Sequence, residues 1–225
     1  MFSNSLSIEE KVESRKGLCV LLTLQCLNCE FTTTTHSSPK SKNGFDINFR
    51  LVYGLRNIGK GCESAKKLCA IMDLPPPPTK FWDYNNKLLP EVKECTLQSM
   101  KAAAKDAIQK SESNELAISL DGTWQKRGHN SLNGVMTAIS MENGKLLDLE
   151  CLSKHCQACK NKTCLGGDLC NANFTGSSGS MEVAGAKAIF SRSEFLHDAK
   201  YKNYLGDGDS KAFVSVVADK PYGPN

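Results

Sequence analysis

Leu116-Ala-Ile-Ser-Leu-Asp-Gly-Thr-Trp124 is the stretch on which the fold turns. Leu116 to Leu120 has the period of a short strand, and Asp121 ends it. Outward from it, Asn133 to Met141 reads as a second strand and Lys145 to Leu152 as a third. Glu142-Asn-Gly144 between them reads as a hairpin turn, with the Asn-Gly pair suited to positive φ. A Cys-rich insert covers 151–170, and a Gly/Ser loop at 176–180 leads into a helix from about Met181 to Leu196. A fourth strand follows at Tyr201 to Leu205, then a helix from Ser210 to Ala218. Short turns make the first three strands an antiparallel meander. The fourth comes after a helical crossover and can lie parallel to the first.

That order opens an RNase H-like fold, so the chain reads as α+β. Residues 1–16 are polar and charged with no apolar period and read as a disordered tail. Residues 17–44 read as a zinc-ribbon-like strand region around Cys26-x2-Cys29, ending in a loop over 32–44. Residues 45–112 read as helical. Ile47, Leu51, Leu55 and Ile58 give one amphipathic helix with Asp46 as N-cap, and Glu63 to Met72 gives a second. Pro75 to Pro78 stop all helix. Residues 80–112 form a third helix that starts or kinks at Pro90. The charged run from Lys110 to Glu115 marks a boundary, and 113–225 is the partial RNase H-like domain.

The 225 residues are 40% apolar, enough for a buried core, and no run is long enough to cross a membrane. The apolar stretch from Leu18 to Leu24 is short and has no cleavage site, so an intracellular protein is expected. Eleven cysteines, an odd number grouped in C-x2-C pairs, point to zinc more than to disulfides. A net charge of +4 is compatible with nucleic acid without requiring it.

Asp121 sits at the mouth of a sheet, and Asp207 and Asp209 follow the fourth strand in Leu205-Gly-Asp-Gly-Asp-Ser210. If the first and fourth strands are neighbours, Asp121 and Asp207 lie side by side. Two such carboxylates repel unless a divalent cation sits between them. Asp207 is favoured over Asp209 because it follows the apolar strand as Asp121 does. Against this, Asp-Gly is a common turn dipeptide. Cys156-x2-Cys159 with Cys164 and Cys170 can complete a structural zinc tetrahedron, with Cys151 and His155 as substitutes. The alternative is reduced thiols in a flexible loop. Cys26 and Cys29 are half a zinc site, with Cys19 and His36 as possible partners. Lys126, Arg127, His129 and Lys211 near the acids are candidate DNA contacts, as are Arg50, Arg56, Lys60, Lys66 and Lys67 farther upstream. Each set also reads as an ordinary solvated face. Trp82 and Trp124 can stack on bases or belong to cores.

Several blocks resemble the Mutator-like transposase domain. They are Phe45-Asp-Ile-Asn48, Arg56-Asn-Ile-Gly-Lys-Gly61, Leu74-Pro-Pro-Pro77, Asp121-Gly-Thr-Trp-Gln-Lys-Arg-Gly-His129, Ser131-Leu-Asn-Gly134, Gly176-Ser-Ser-Gly179 with Met181-Glu182, and Tyr204-Leu-Gly-Asp-Gly-Asp-Ser-Lys211. The similarity spans roughly 17–225. It implies an RNase H-like Asp-Asp-Glu enzyme that uses Mg²⁺ or Mn²⁺ on DNA, in the nucleus, self-associated in a transposition complex. Asp121 and Asp207 then take the places of the first and second acids. The third, a Glu, is expected beyond Asn225. Glu182 is a rival, although a carboxylate in a first helical turn is also explained by the helix dipole. The family carries a similar Cys/His insert; here Cys164 and Cys170 stand where a His-containing half is usual. Two other functions stay open: a non-catalytic zinc-stabilised DNA-binding protein, and a zinc-dependent protein-interaction module.

Overall fold

The structure is a computed structural model that describes residues 5–41, 43–126, 131–166, 170–206 and 210–223. It divides into two compact units, residues 1–95 and 96–225.

The first unit opens with β1 (Leu6–Lys16), β2 (Cys19–Cys26) and β3 (Thr32–His36), an antiparallel sheet in the order β1-β2-β3. The sequence reading of 1–16 as a loose tail is corrected here. Leu6, Ile8 and Val12 do fall at even spacing, but all three stay exposed, so the backbone ladder to β2 and not burial holds the strand. The loop expected over 32–44 is also corrected. Thr32 to Thr35 are β-branched and pair with β2, and two-residue strands β4 (Lys40–Ser41) and β5 (Gly44–Phe45) follow. Gly17 makes the β1–β2 turn at φ +66°, where a side chain would strike Asn48. Asn48 is fully buried. Its Oδ1 accepts from Leu18 N–H at 2.9 Å, and its Nδ2 donates to the Lys16 carbonyl at 2.7 Å. One amide thus ties the turn to α1 (Asp46–Asn57). Asp46 is the first helical residue and not the cap, a position held by Phe45 without a side-chain bond. Val52 and Leu55 of α1, Ala65 of α2 (Cys62–Ile71) and Phe81 of α3 (Phe81–Ser111) form the core. Pro90 lies inside α3, and the division between units falls five residues later, within that helix rather than at its end.

The second unit is built on a four-stranded sheet in the order β8-β7-β6-β9. Its strands are β6 (Glu115–Trp124), β7 (Asn133–Ser140), β8 (Leu146–Ser153) and β9 (Lys200–Leu205). β6–β7 and β7–β8 are antiparallel, and β6–β9 is parallel. Leu116, Ile118 and Leu120 alternate into the core with Met136, Ala138 and Ile189. β6 does not end at Asp121 but runs on to Trp124, which pairs with Gly134. The Trp124 ring occupies the space a side chain at Gly134 would need, with Met181 beside it. That packing keeps the strand going and makes Trp124 a structural residue. The β7–β8 connection is wider than a two-residue turn. Ser140 N–H donates to Lys145 O at 2.9 Å, and Gly144 takes φ +68°.

Helix α4 (Gln157–Lys160) lies in the insert. Helix α5 (Ser178–His197) begins earlier than its apolar period suggests, because Ser177 caps it by accepting from Ser180 N–H. Helix α6 (Ser210–Asp219) follows β9. At the C-terminal end of α5, His197 is buried, and neither ring nitrogen has a hydrogen-bond partner. Burial lowers its pKa; Asp148 opposes this, while Arg192 and Lys101 reinforce it. The unfolded chain therefore binds the proton more readily, and stability rises with pH between the folded pKa and the unfolded value of about 6.5. Thermal melts are expected to fall as pH drops through that window, and less steeply for His197→Leu. Equal pH slopes for the two proteins would remove His197 as the cause.

Candidate functional site

The parallel β6–β9 ladder runs through Ile118–Tyr204 to Ser119–Leu205. Asp121 lies two residues beyond Ser119, on β6, opposite Thr137 of β7. The alternation that buries Leu120 leaves Asp121 exposed. Its Oδ1 accepts from Gly122 N–H at 2.8 Å, and its carbonyl accepts from the Thr137 hydroxyl at 3.2 Å. Asp207 and Asp209 lie outside the described residues, as do Arg127 and His129. Lys126 is exposed just after β6, its N–H donating to Ser131 Oγ at 3.4 Å, and Lys211 is exposed on α6. Glu182 is the fifth residue of α5, outside its first turn, so the helix-dipole explanation for it weakens.

Four of the five insert cysteines are brought together. The Sγ atoms of Cys156, Cys159, Cys164 and Cys170 all lie within 4.8 Å of one another, with Cys156–Cys164 at 3.9 Å and Cys159–Cys170 at 3.4 Å. A tetrahedral ion with metal–sulfur bonds of about 2.3 Å needs sulfurs about 3.8 Å apart, so the set fits zinc. The local backbone prepares it. Cys156 is held down at about 6, first by the Cys159 N–H and then by the Asn171 N–H. Cys159 is pushed up to about 12, first by its contact with Cys164 and then by Cys170 and Cys156. Crowded sulfurs without a cation must keep protons between them; a divalent cation displaces those protons.

Sequence reasoning missed what roots this insert. Asn173 Oδ1 accepts from Ser153 N–H at 2.7 Å, its Nδ2 donates to Cys151 O at 2.8 Å, and the Ser153 hydroxyl meets Asn133 Oδ1 at 2.5 Å. Cys151 and His155 are not members of the cluster.

In the first unit, the Asn28 N–H and then the Cys29 thiol lower the pKa of Cys26. Among the described residues no third ligand joins the pair. Cys19 stands at the other end of β2, about 23 Å from Cys26 at a strand's rise, and His36, at the end of β3, lies 3.9 Å from it. They cannot complete a site with Cys26 and Cys29.

A family model for Mutator-like transposases matches residues 3–225. The chain belongs to the Mutator-like transposase family. No curated protein and no solved structure matches it. Among the described residues of this transposase-family chain, no helix is long and apolar enough to cross a membrane. The matched span includes both the β6–β9 pair and the cysteine cluster.

Proposed function

We propose that this chain is a DNA transposase whose second unit is an RNase H-like domain. It acts in the nucleus, self-associated on DNA, by phosphodiester hydrolysis and strand transfer. Asp121 and Asp207 are the proposed ligands of Mg²⁺ or Mn²⁺, with Asp209 the alternate. The observation that carries this is the parallel pairing of Ser119 with Leu205, since Asp121 and Asp207 each follow a paired residue by two positions. Gly122 N–H restrains the Asp121 carboxylate in an exposed position, open to an ion and to a phosphate. When bound there, divalent ions activate a water or 3′-hydroxyl and stabilise the leaving oxygen. Lys126 and Lys211, with Arg127 and His129, would hold phosphates. Zinc at Cys156, Cys159, Cys164 and Cys170 is structural in this reading, because four protein ligands leave no open position.

The test is Mn²⁺ binding followed by electron paramagnetic resonance. Asp121→Ala is expected to weaken binding at least about tenfold, the loss that disturbing even an outer-shell partner brings. Its melting temperature and DNA affinity should stay near those of the parent. Unchanged Mn²⁺ affinity would show that Asp121 is not a ligand. A second reading, a zinc-stabilised DNA-binding protein without catalysis, is favoured by one fact. The cysteine cluster is gathered on its own residues, so zinc stabilisation does not depend on the acids.

A further inference from the structure

The exposed cations of this segment are Arg50 and Arg56 on α1 and Lys60 just after it, while Asp46 opens the same helix. From residue 50 to 60 the chain contains Arg50, Arg56 and Lys60 and no Asp or Glu, and all three side chains are exposed. Trp82, in the first turn of α3, is 55% exposed, with its ring set edge-on to that of buried Phe81. The Arg56 guanidinium lies over the indole, 5.0 Å from the ring centroid. It does not wander there: its Nε donates to Asn85 Oδ1 at 2.6 Å. Single exposed aromatics are ordinary, but an indole paired with an oriented guanidinium is more specific. An exposed indole stacks well on any base, a guanidinium plane stacks likewise, and the surrounding cations match a phosphate chain.

We propose that Trp82 and Arg56 form a platform for an unpaired base of single-stranded DNA, with Arg50 and Lys60 meeting its phosphates. The choice of DNA as ligand rests on the transposase reading above; the platform itself rests on the first unit alone. Duplex DNA hides its base faces, so it gains only the phosphate contacts.

The test uses the full chain without Mg²⁺ and a fluorescein-labelled single-stranded 20-mer, read by anisotropy across a salt series. Trp82→Ala is expected to weaken single-strand binding by about tenfold or more, with duplex binding and the salt slope nearly unchanged. Trp82→Phe should retain most of the affinity. Arg50→Ala should weaken binding and reduce the salt slope by about 0.7, the share of one phosphate contact on a single strand. A parent that binds DNA, with a folded Trp82→Ala that binds the single strand equally well, overturns the platform and leaves the transposase reading standing. A parent that binds neither DNA form at low salt overturns both.

Discussion

Purified chain is expected to carry one zinc ion, and Cys156→Ser/Cys159→Ser to carry none. The insert has few apolar residues between its cysteines, and none of its described residues from 157 to 170 is buried. Its order then depends on the ion, whose binding supplies on the order of 10 kcal/mol at neutral pH. Loss of zinc should therefore unfold the insert while the sheet persists, since β7 and β8 pair without it. Mercurial titration with a colorimetric zinc indicator reads the stoichiometry. Limited proteolysis reads the consequence: cleavage confined to about 154–176 in the double variant, and protection in the parent. Acidification should release the zinc too, because protons compete for the sulfurs. A parent with no zinc after growth and purification in its presence, and with four freely reactive insert thiols, would make the cluster a set of reduced cysteines.

The sheet of the second unit was legible because its residues obey one rule at a time. Leu116, Ile118 and Leu120 alternate, a helix separates the third strand from the fourth, and the handedness of crossovers leaves β9 one place to go. The first unit was less legible because its strands break the link between pattern and burial. β1 is mostly charged and exposed, and its ladder to β2 is a backbone property no side chain announces. β3 is a run of threonines, which composition assigns to loops and β-branching assigns to strands. Caps were missed where a short polar residue stood further upstream than the apolar period, as Ser177 does for α5. The cysteine cluster was readable from spacing, because a C-x2-C turn brings its own sulfurs together. Its anchor, Asn173 on Ser153 and Cys151, was not readable, because an amide twenty residues away leaves no periodic trace.

Replacing Arg192 by Met is expected to cost the second unit about 3–5 kcal/mol, a large part of the 5–15 kcal/mol typical of a whole domain. Asp148 of β8 is almost completely buried, and Arg192 of α5 meets both its oxygens, Nε to Oδ2 at 2.8 Å and Nη2 to Oδ1 at 2.9 Å. The same guanidinium donates to Leu149 O at 2.8 Å and pairs with Glu150. The hydrogen bonds to Asp148, then those to Glu150, raise the Arg192 pKa against the opposing effect of burial. Without the guanidinium, a carboxylate is left in the core with one hydrogen bond among the described residues, from the Leu149 N–H. Arg192→Met/Asp148→Leu should recover most of the loss, because a buried ion pair is worth little against apolar side chains of similar size. Urea melts of the three proteins separate these terms. A single variant within about 1 kcal/mol of the parent would mean that water reaches Asp148 and the pair is not buried in solution. The pair also matters for both candidate sites, since it fastens α5 to the strand whose end roots the cysteine insert. The same helix, on its way to β9, packs against the sheet that carries Asp121. Arg192→Met should accordingly lower zinc retention and Mn²⁺ affinity together, and the double variant should restore both.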